Sequence, residues 1–120
     1  YMMGSSDGLD ESLFTNGIPA QNIPAINDIL IQDCIACHEA GNNQGHSFVL
    51  TRNGAEGNFR IAANFVNANN PDMSMLLTMP TQGAAAGGIP TINQHETKVW
   101  SLTSPNFIHT KDWIIKSFSP

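Results

Sequence analysis

Two cysteines and one histidine stand together in the stretch CIACH, which runs from Cys34 to His38. The chain contains no other cysteine, and a disulfide between Cys34 and Cys37 would close only a very small loop. On a helix the two thiols lie about one turn apart, and the imidazole follows the second thiol directly. This spacing suits two covalent bonds and one coordinate bond to a single flat molecule.

The C-x-x-C-H pattern is the attachment signature of c-type haem. Cys34 and Cys37 would form thioethers with two vinyl groups on one edge of the porphyrin, and His38 would bind the iron as proximal ligand. We therefore predict one covalently bound haem c, with its iron, per chain. The second ring nitrogen of His38 then needs a hydrogen-bond acceptor, for which we expect a backbone carbonyl.

Three other uses of these residues compete with haem attachment. A thioredoxin-like redox pair requires a βαβ context, and strand and helix patterns do not alternate in this sequence. A structural zinc site requires about four ligands, which would have to include carboxylates or His46, His95 and His109. Two unrelated surface thiols would be open to oxidation in an oxidising compartment. The motif and its helical surroundings together favour haem.

The methionines predict the sixth ligand of the iron. Met79 stands directly before Pro80. The proline should end a short helix and bias Met79 towards an extended conformation, which would turn the thioether out of the helix. We predict Met79 as the distal ligand, with Met73, Met75, a histidine or an open sixth site as alternatives.

Periodicity and end signals predict the helices that position these residues. A helix from about Ala25 to Glu39 carries the motif, since apolar residues recur near the 3.6-residue spacing. A second helix is predicted in EGNFRIAANFVNANN, and a short third in PDMSMLLTM. In the last predicted helix Ser104 is a candidate cap and Pro105 suits the first turn. Its apolar stripe is formed by Phe107, Ile108, Ile114, Ile115 and Phe118.

The pattern outside these helices sets the predicted domain organisation. Residues 1–23 are polar and glycine-rich without a helical period, so we predict an arm or linker remnant there. Residues 24–120 form the predicted haem domain. The fold class is all-α, with three to four short helices and long loops that need a central object such as haem to wrap around.

Charge and composition exclude several classes of partner. The net charge is −5 and the five basic residues are scattered, so nucleic-acid binding is disfavoured. No apolar run approaches the roughly 18 residues that span a bilayer. The start of the sequence lacks the basic and apolar regions of a signal peptide, so we expect a mature product or a domain excised from a larger protein.

Some further side chains are candidates for contact with haem. The aromatic candidates are Trp100, Trp113, Phe48, Phe59 and Phe65, for which the alternative is ordinary core packing. Arg52 or Arg60 would pair with a haem propionate or lie on a solvated face.

The chain resembles small monohaem cytochromes c, with a helix leading into C-x-x-C-H, a methionine-proline pair and a C-terminal helix. The stretches NPDMSMLLTMP and DWIIKSF and the pair Gly87–Gly88 are similar to cytochrome c modules fused to larger exported bacterial proteins, some of them active on polysaccharides. In much of that group a lysine precedes the proline and a histidine precedes the glycine pair, where this chain has Met79 and Ala86. The resemblance covers roughly residues 33–118 and implies a cytochrome c-like fold.

Two protein ligands leave no vacancy for oxygen or peroxide, so these features predict an electron-transfer protein or module and no enzyme. The alternatives are a haem enzyme or ligand sensor with an open sixth site, and a structural Cys–His metal module. Bacterial thioether attachment implies export to the periplasm or beyond. We expect a monomer or a domain of a larger protein, with an exported redox partner. The resemblance suggests a polysaccharide-oxidising copper enzyme in that role.

Overall fold

The computed structural model describes residues 8–39, 48–81 and 99–118, apart from the side chains of residues 36 and 37. Over these ranges the protein is helical and contains no β-strand, which confirms an all-α chain at this level. The α-helices are α1 (Glu11–Asn16), α2 (Ile26–His38), α3 (Ala55–Ala63), α4 (Met75–Thr78) and α5 (Pro105–Ser117), with 3-10 turns at Pro19–Gln21 and Pro71–Met73. None of these helices has the length and apolar character needed to cross a membrane.

Helix α2 carries the C-x-x-C-H motif and lies within one residue of its predicted bounds at each end. Ala25 has an extended backbone and precedes the helix, so Pro24 lies before the helix and not in its first turn. Ile26, Ile29 and Leu30 are buried, because residues three and four apart share one face of a helix. Because this face is buried, the rotation of α2 about its axis is fixed, and so is the side of the helix on which His38 lies.

The segment 8–23 differs from the predicted arm, because it contains helix α1 and contributes to the core. The Asp10 carboxylate begins α1 by accepting a hydrogen bond from the Leu13 amide at 3.0 Å. Phe14 is fully buried, and α1 packs against α2 and α3. A helix of this length shows no repeated apolar spacing, so its sequence pattern resembles that of a loop.

An aromatic cluster, here called the aromatic core, joins the N-terminal segment to α3 and α5. The ring of Phe14 lies 5.4 Å from that of Phe59 and 5.3 Å from that of Trp113 between centroids. The Trp113 indole also donates a hydrogen bond to the Asp10 carbonyl at 2.9 Å. These contacts tie the two ends of the described chain together.

Helix α5 begins at Pro105, as the sequence predicts, but its buried face is narrower than expected. Ile108 is 43% exposed, whereas Phe107 beside it is buried. Adjacent residues point about 100° apart on a helix, so both cannot face the same core. Ser104 precedes the helix, but its hydroxyl accepts the Ser101 amide at 2.9 Å and caps no helical amide.

The region between α3 and α5 is more broken than predicted. Helix α3 ends at Ala63, and the predicted helix before Pro80 is divided at Ser74. Ser74 has a backbone ψ of 133°, and its hydroxyl accepts the Asn67 amide at 2.8 Å. A serine hydroxyl that hydrogen-bonds to a backbone amide outside its helix stabilises a non-helical conformation of the serine. This explains why the helix is divided at Ser74.

Candidate functional site

His38 is the last residue of α2 and is half-buried. Its Nδ1 lies 2.8 Å from the carbonyl oxygen of Phe48. A carbonyl only accepts hydrogen bonds, so Nδ1 carries the proton and, in the neutral imidazole, Nε2 carries the lone pair. A histidine that binds a metal through Nε2 requires this tautomer. The prediction of a backbone carbonyl as acceptor is confirmed.

The backbone on the two sides of residues 40–47 is joined directly beside His38. The Leu50 amide donates to the His38 carbonyl at 2.7 Å. We call the joined segments, 38–39 and 48–52, the neck. Because the neck holds both the carbonyl and the imidazole of His38, the ring has little freedom to rotate.

Asn58 of α3 supports the neck from the core. Its Oδ1 accepts the Thr51 amide at 2.9 Å, and its Nδ2 donates to the Thr51 carbonyl at 2.7 Å and to Asn27 Oδ1 at 2.8 Å. The side chain is 1% exposed. One buried amide therefore fixes the neck relative to both α2 and α3. Sequence analysis did not identify Asn58, since asparagine among polar helical residues usually lies at the surface.

The two cysteines lie in the last turns of α2. Cys34 precedes His38 by four residues, which places both on one face of the helix. The Cys34 side chain is 9% exposed and belongs to the apolar core cluster. Cys37 has a helical backbone, but its side chain lies outside the described part of the chain. The structure thus brings Cys34 and His38 to one side of the helix, and haem attachment through Cys34 and Cys37 stays a prediction.

Aromatic rings lead from His38 towards the segment that carries the methionines. The Phe48 ring lies 4.9 Å from the imidazole and 5.1 Å from the Phe65 ring between centroids, in edge-to-face geometry. The Phe65 carbonyl accepts the Leu76 amide at 3.0 Å. Contacts therefore run from the imidazole to α4, and Met79 follows the last residue of that helix.

Met79 is half-buried and retains a helical backbone, with φ −66° and ψ −50°. The predicted extended conformation before Pro80 is therefore wrong. The Met79 amide still donates to the Met75 carbonyl at 3.0 Å. The Thr81 hydroxyl donates to the Leu77 carbonyl at 2.7 Å, which satisfies a carbonyl at the helix end and favours continuation of the turn.

The other candidate ligands of the sixth position differ in exposure. Met73 and Met75 are 39% and 41% exposed. His109 is half-buried on α5. His46 and His95 lie outside the described residues, so their candidacy as the sixth ligand stays untested.

The candidate haem-packing aromatics separate into two groups. Phe48 packs on the His38 imidazole and Phe65 packs on Phe48, whereas Phe59 and Trp113 belong to the aromatic core. Trp100 is buried and donates its indole hydrogen to a carboxylate oxygen of Asp33 at 2.7 Å. The pattern of aromatic residues alone did not distinguish these environments.

The two candidate propionate partners are engaged in exposed ion pairs. Arg52 Nε lies 3.0 Å from Glu39 Oε2 across the neck. Arg60 pairs with Glu56 one turn earlier in α3. Both environments agree with the alternative of a solvated face.

Within the described ranges, no three or more histidine, cysteine and acidic side chains are grouped so as to hold a metal ion. No protein-family model, curated protein or solved structure matches the chain significantly. The function of the protein must therefore be inferred from the motif and the geometry around His38.

Proposed function

We propose that the chain is a monohaem cytochrome c domain that transfers single electrons. Cys34 and Cys37 are the attachment residues of haem c, and His38 and Met79 are the axial ligands of its iron. The observation that carries the proposal is the hydrogen bond between His38 Nδ1 and the Phe48 carbonyl, made within an intact C-x-x-C-H motif. It leaves the lone pair on Nε2, the atom through which the imidazole would bind iron.

The chemistry of the surrounding side chains fits a flat apolar ring. Phe48 and Phe65 are only half-buried, and Met73 and Met75 are among the exposed large apolar residues. Covering such surface stabilises a protein by about 25 cal/mol per Å². Methionine and phenylalanine side chains both make favourable contacts with a conjugated ring.

The order of the elements supports a cytochrome c-like fold. A helix carries the motif, a short helix ends at Met79–Pro80, and a C-terminal helix follows. Helix α5 packs against both α2 and α4. The C-terminal helix therefore joins the element with the proximal residue to the element with the distal one.

Haem iron held by a histidine and a methionine supplies a one-electron redox couple whose potential is higher than that of a bis-histidine site. The chain's own residues hold this couple in place. The neck keeps the His38 imidazole oriented, and α4 holds the backbone of Met79, which directly follows it. Two protein ligands leave no position on the iron for a substrate, so we assign electron transfer and no catalysis.

Export and the kind of partner follow from the attachment chemistry and the resemblance. Thioether formation in bacteria takes place outside the cytoplasmic membrane, so we propose a periplasmic or secreted protein. The partner is then an exported redox protein, and the likeness to modules of polysaccharide-active proteins suggests a copper enzyme that oxidises polysaccharides. The chain would act as a monomer or as one domain of a longer protein.

Intact mass tests the attachment directly. Protein produced together with a haem-attachment system should exceed the mass of the chain by one haem after acid denaturation. The variant with both Cys34→Ala and Cys37→Ala is the control and should show the bare mass. A bare mass for the wild-type chain would overturn the proposal.

Spectroscopy of the haem-bound protein tests the axial ligands and the alternative function. Ferric wild-type protein should show the weak near-infrared band of sulfur-to-iron charge transfer, and Met79→Ala should abolish it and lower the reduction potential. Met75→Ala and Met73→Ala should retain the band. Rapid binding of carbon monoxide by ferrous wild-type protein would instead favour a haem enzyme or ligand sensor.

A further inference from the structure

Asp33 joins three parts of the chain directly beside the motif. Its Oδ2 accepts the Trp100 indole hydrogen at 2.7 Å and the Asn106 side-chain amide at 2.8 Å. Trp100 is 2% exposed, so its donor group is shielded from bulk water and depends on this acceptor. Helix α2, the segment 99–100 and the first turn of α5 therefore meet at one oxygen atom.

Trp100 is also bound to the segment that follows Met79. The amides of Val99 and Trp100 donate to the Pro80 carbonyl at 2.8 and 3.1 Å. The backbone of Trp100 is thus fixed to the residue after Met79. Its side chain is fixed to the residue before Cys34.

We propose that Asp33 and Trp100 form a clamp that positions Met79 relative to α2 and so sets how firmly the distal thioether is held on the iron. This inference rests on the proposed function, because it requires Met79 to be the distal ligand. Asp33 and Trp100 act as positioning residues, through hydrogen bonds to segments that carry ligands. A neutral thioether is easily replaced, so its retention depends on a scaffold that holds it in the bound position.

The molecule contains a matched control for this hydrogen bond. Trp113 is fully buried and donates its indole hydrogen to the Asp10 carbonyl at 2.9 Å. That bond joins α5 to the N-terminal segment within the aromatic core. Trp113→Phe therefore makes the same chemical change as Trp100→Phe, but the hydrogen bond that it removes ends at Asp10 and not at the motif helix.

The test is the displacement of Met79 by imidazole in the full haem-bound ferric chain. Binding of imidazole requires the open form, so its apparent affinity rises with the fraction of protein in which Met79 has left the iron. We expect Trp100→Phe to bind imidazole about five-fold more tightly than wild type, the effect of one lost hydrogen bond. Asp33→Ala removes the acceptor of two hydrogen bonds and should raise the affinity by at least as much. Trp113→Phe should lower the melting temperature and leave the affinity unchanged.

Asp33→Asn separates hydrogen bonding from charge. Both donors converge on one oxygen of Asp33, and the side-chain carbonyl of asparagine can accept both bonds. This variant should therefore retain the wild-type imidazole affinity. An Asp33→Asn protein that behaves like Asp33→Ala would overturn the hydrogen-bond explanation.

The remaining outcomes distinguish the clamp from the proposed ligation. If wild type binds imidazole as tightly as Met79→Ala, Met79 is not the ligand, and the ligation and the clamp are both wrong. If wild type resists imidazole and Trp100→Phe does too, the clamp alone is wrong. An equal gain in affinity in Trp113→Phe would also overturn the clamp, because general loosening would explain it. If Asp33→Ala does not fold, Trp100→Phe alone tests the clamp, because it keeps an aromatic ring in the core and removes the hydrogen bond.

Discussion

The aromatic core and the neck are held together by different forces. Phe14 and Trp113 are fully buried and pack ring against ring. His38 and Phe48 are only half-buried. Two hydrogen bonds fix the neck: His38 Nδ1 donates to the Phe48 carbonyl, and the Leu50 amide donates to the His38 carbonyl. Packing between buried rings dominates in the aromatic core, and hydrogen bonds hold the half-buried neck.

This difference separates stability from orientation. Apolar burial is roughly proportional to area and has no preferred direction, so it stabilises the fold without fixing one ring precisely enough for coordination. Hydrogen bonds contribute modestly to net stability but weaken steeply when they are misaligned. We therefore expect substitutions in the core to change the free energy of unfolding, and substitutions around the neck to change the environment of His38.

Phe14→Ala should have the largest effect on stability. Removal of a fully buried aromatic ring that contacts both Phe59 and Trp113 should lower the free energy of unfolding by about 3 to 5 kcal/mol. Denaturant unfolding of the haem-bound protein measures the loss. The fraction that remains folded should retain the near-infrared band, because the core is separate from the ligands.

Ile108→Ala is the control for this prediction, because its side chain is 43% exposed. It should change the free energy of unfolding by less than about 0.5 kcal/mol. A Phe14→Ala protein as stable as Ile108→Ala would show that the aromatic core is not the main source of stability and would remove the comparison with the neck.

Asn58→Ala should have an intermediate effect and should loosen the neck. The change removes the partner of the buried Asn27 side-chain oxygen and of the amide and carbonyl of Thr51, at a cost of about 1 to 3 kcal/mol. Hydrogen exchange should accelerate more at the Leu50 amide than at amides of α5. Asn64→Ala, at the exposed end of the same helix, should change neither quantity. Equal acceleration along the whole chain would mean that Asn58 supports the fold and not the neck in particular.

Arg52→Ala should have the smallest effect. The pair with Glu39 is exposed, with 58% of the arginine side chain accessible, so its loss should reduce stability by less than about 1 kcal/mol. Arg60→Ala, which breaks an exposed pair within α3, should cost a similar amount. The reduction potential should be unchanged in both variants. A shift in Arg52→Ala alone would indicate that Arg52 pairs with a haem propionate and contributes to the site.

The accuracy of the sequence-based predictions depended on how local each signal was. The bounds of α2 and the start of α5 were predicted closely, because apolar spacing and proline act over a few residues. The conformation of Met79 was predicted incorrectly, since the preference of a residue before proline was overcome by the Thr81 hydroxyl at the helix end. Helix α1 was missed because the signal that orders it is the burial of Phe14 against α3 and α5.

The sequence by itself determined the motif, the helix that carries it and the need of His38 for an acceptor, since these depend on residue types and short spacings. Only the tertiary structure identified that acceptor as the Phe48 carbonyl, and only it joined Asp33 to Trp100. The donor and acceptor in each pair belong to segments that meet through packing of the whole chain. Hydrogen bonds of this kind depend on the positions of both partners in the fold, and residue spacing does not encode those positions.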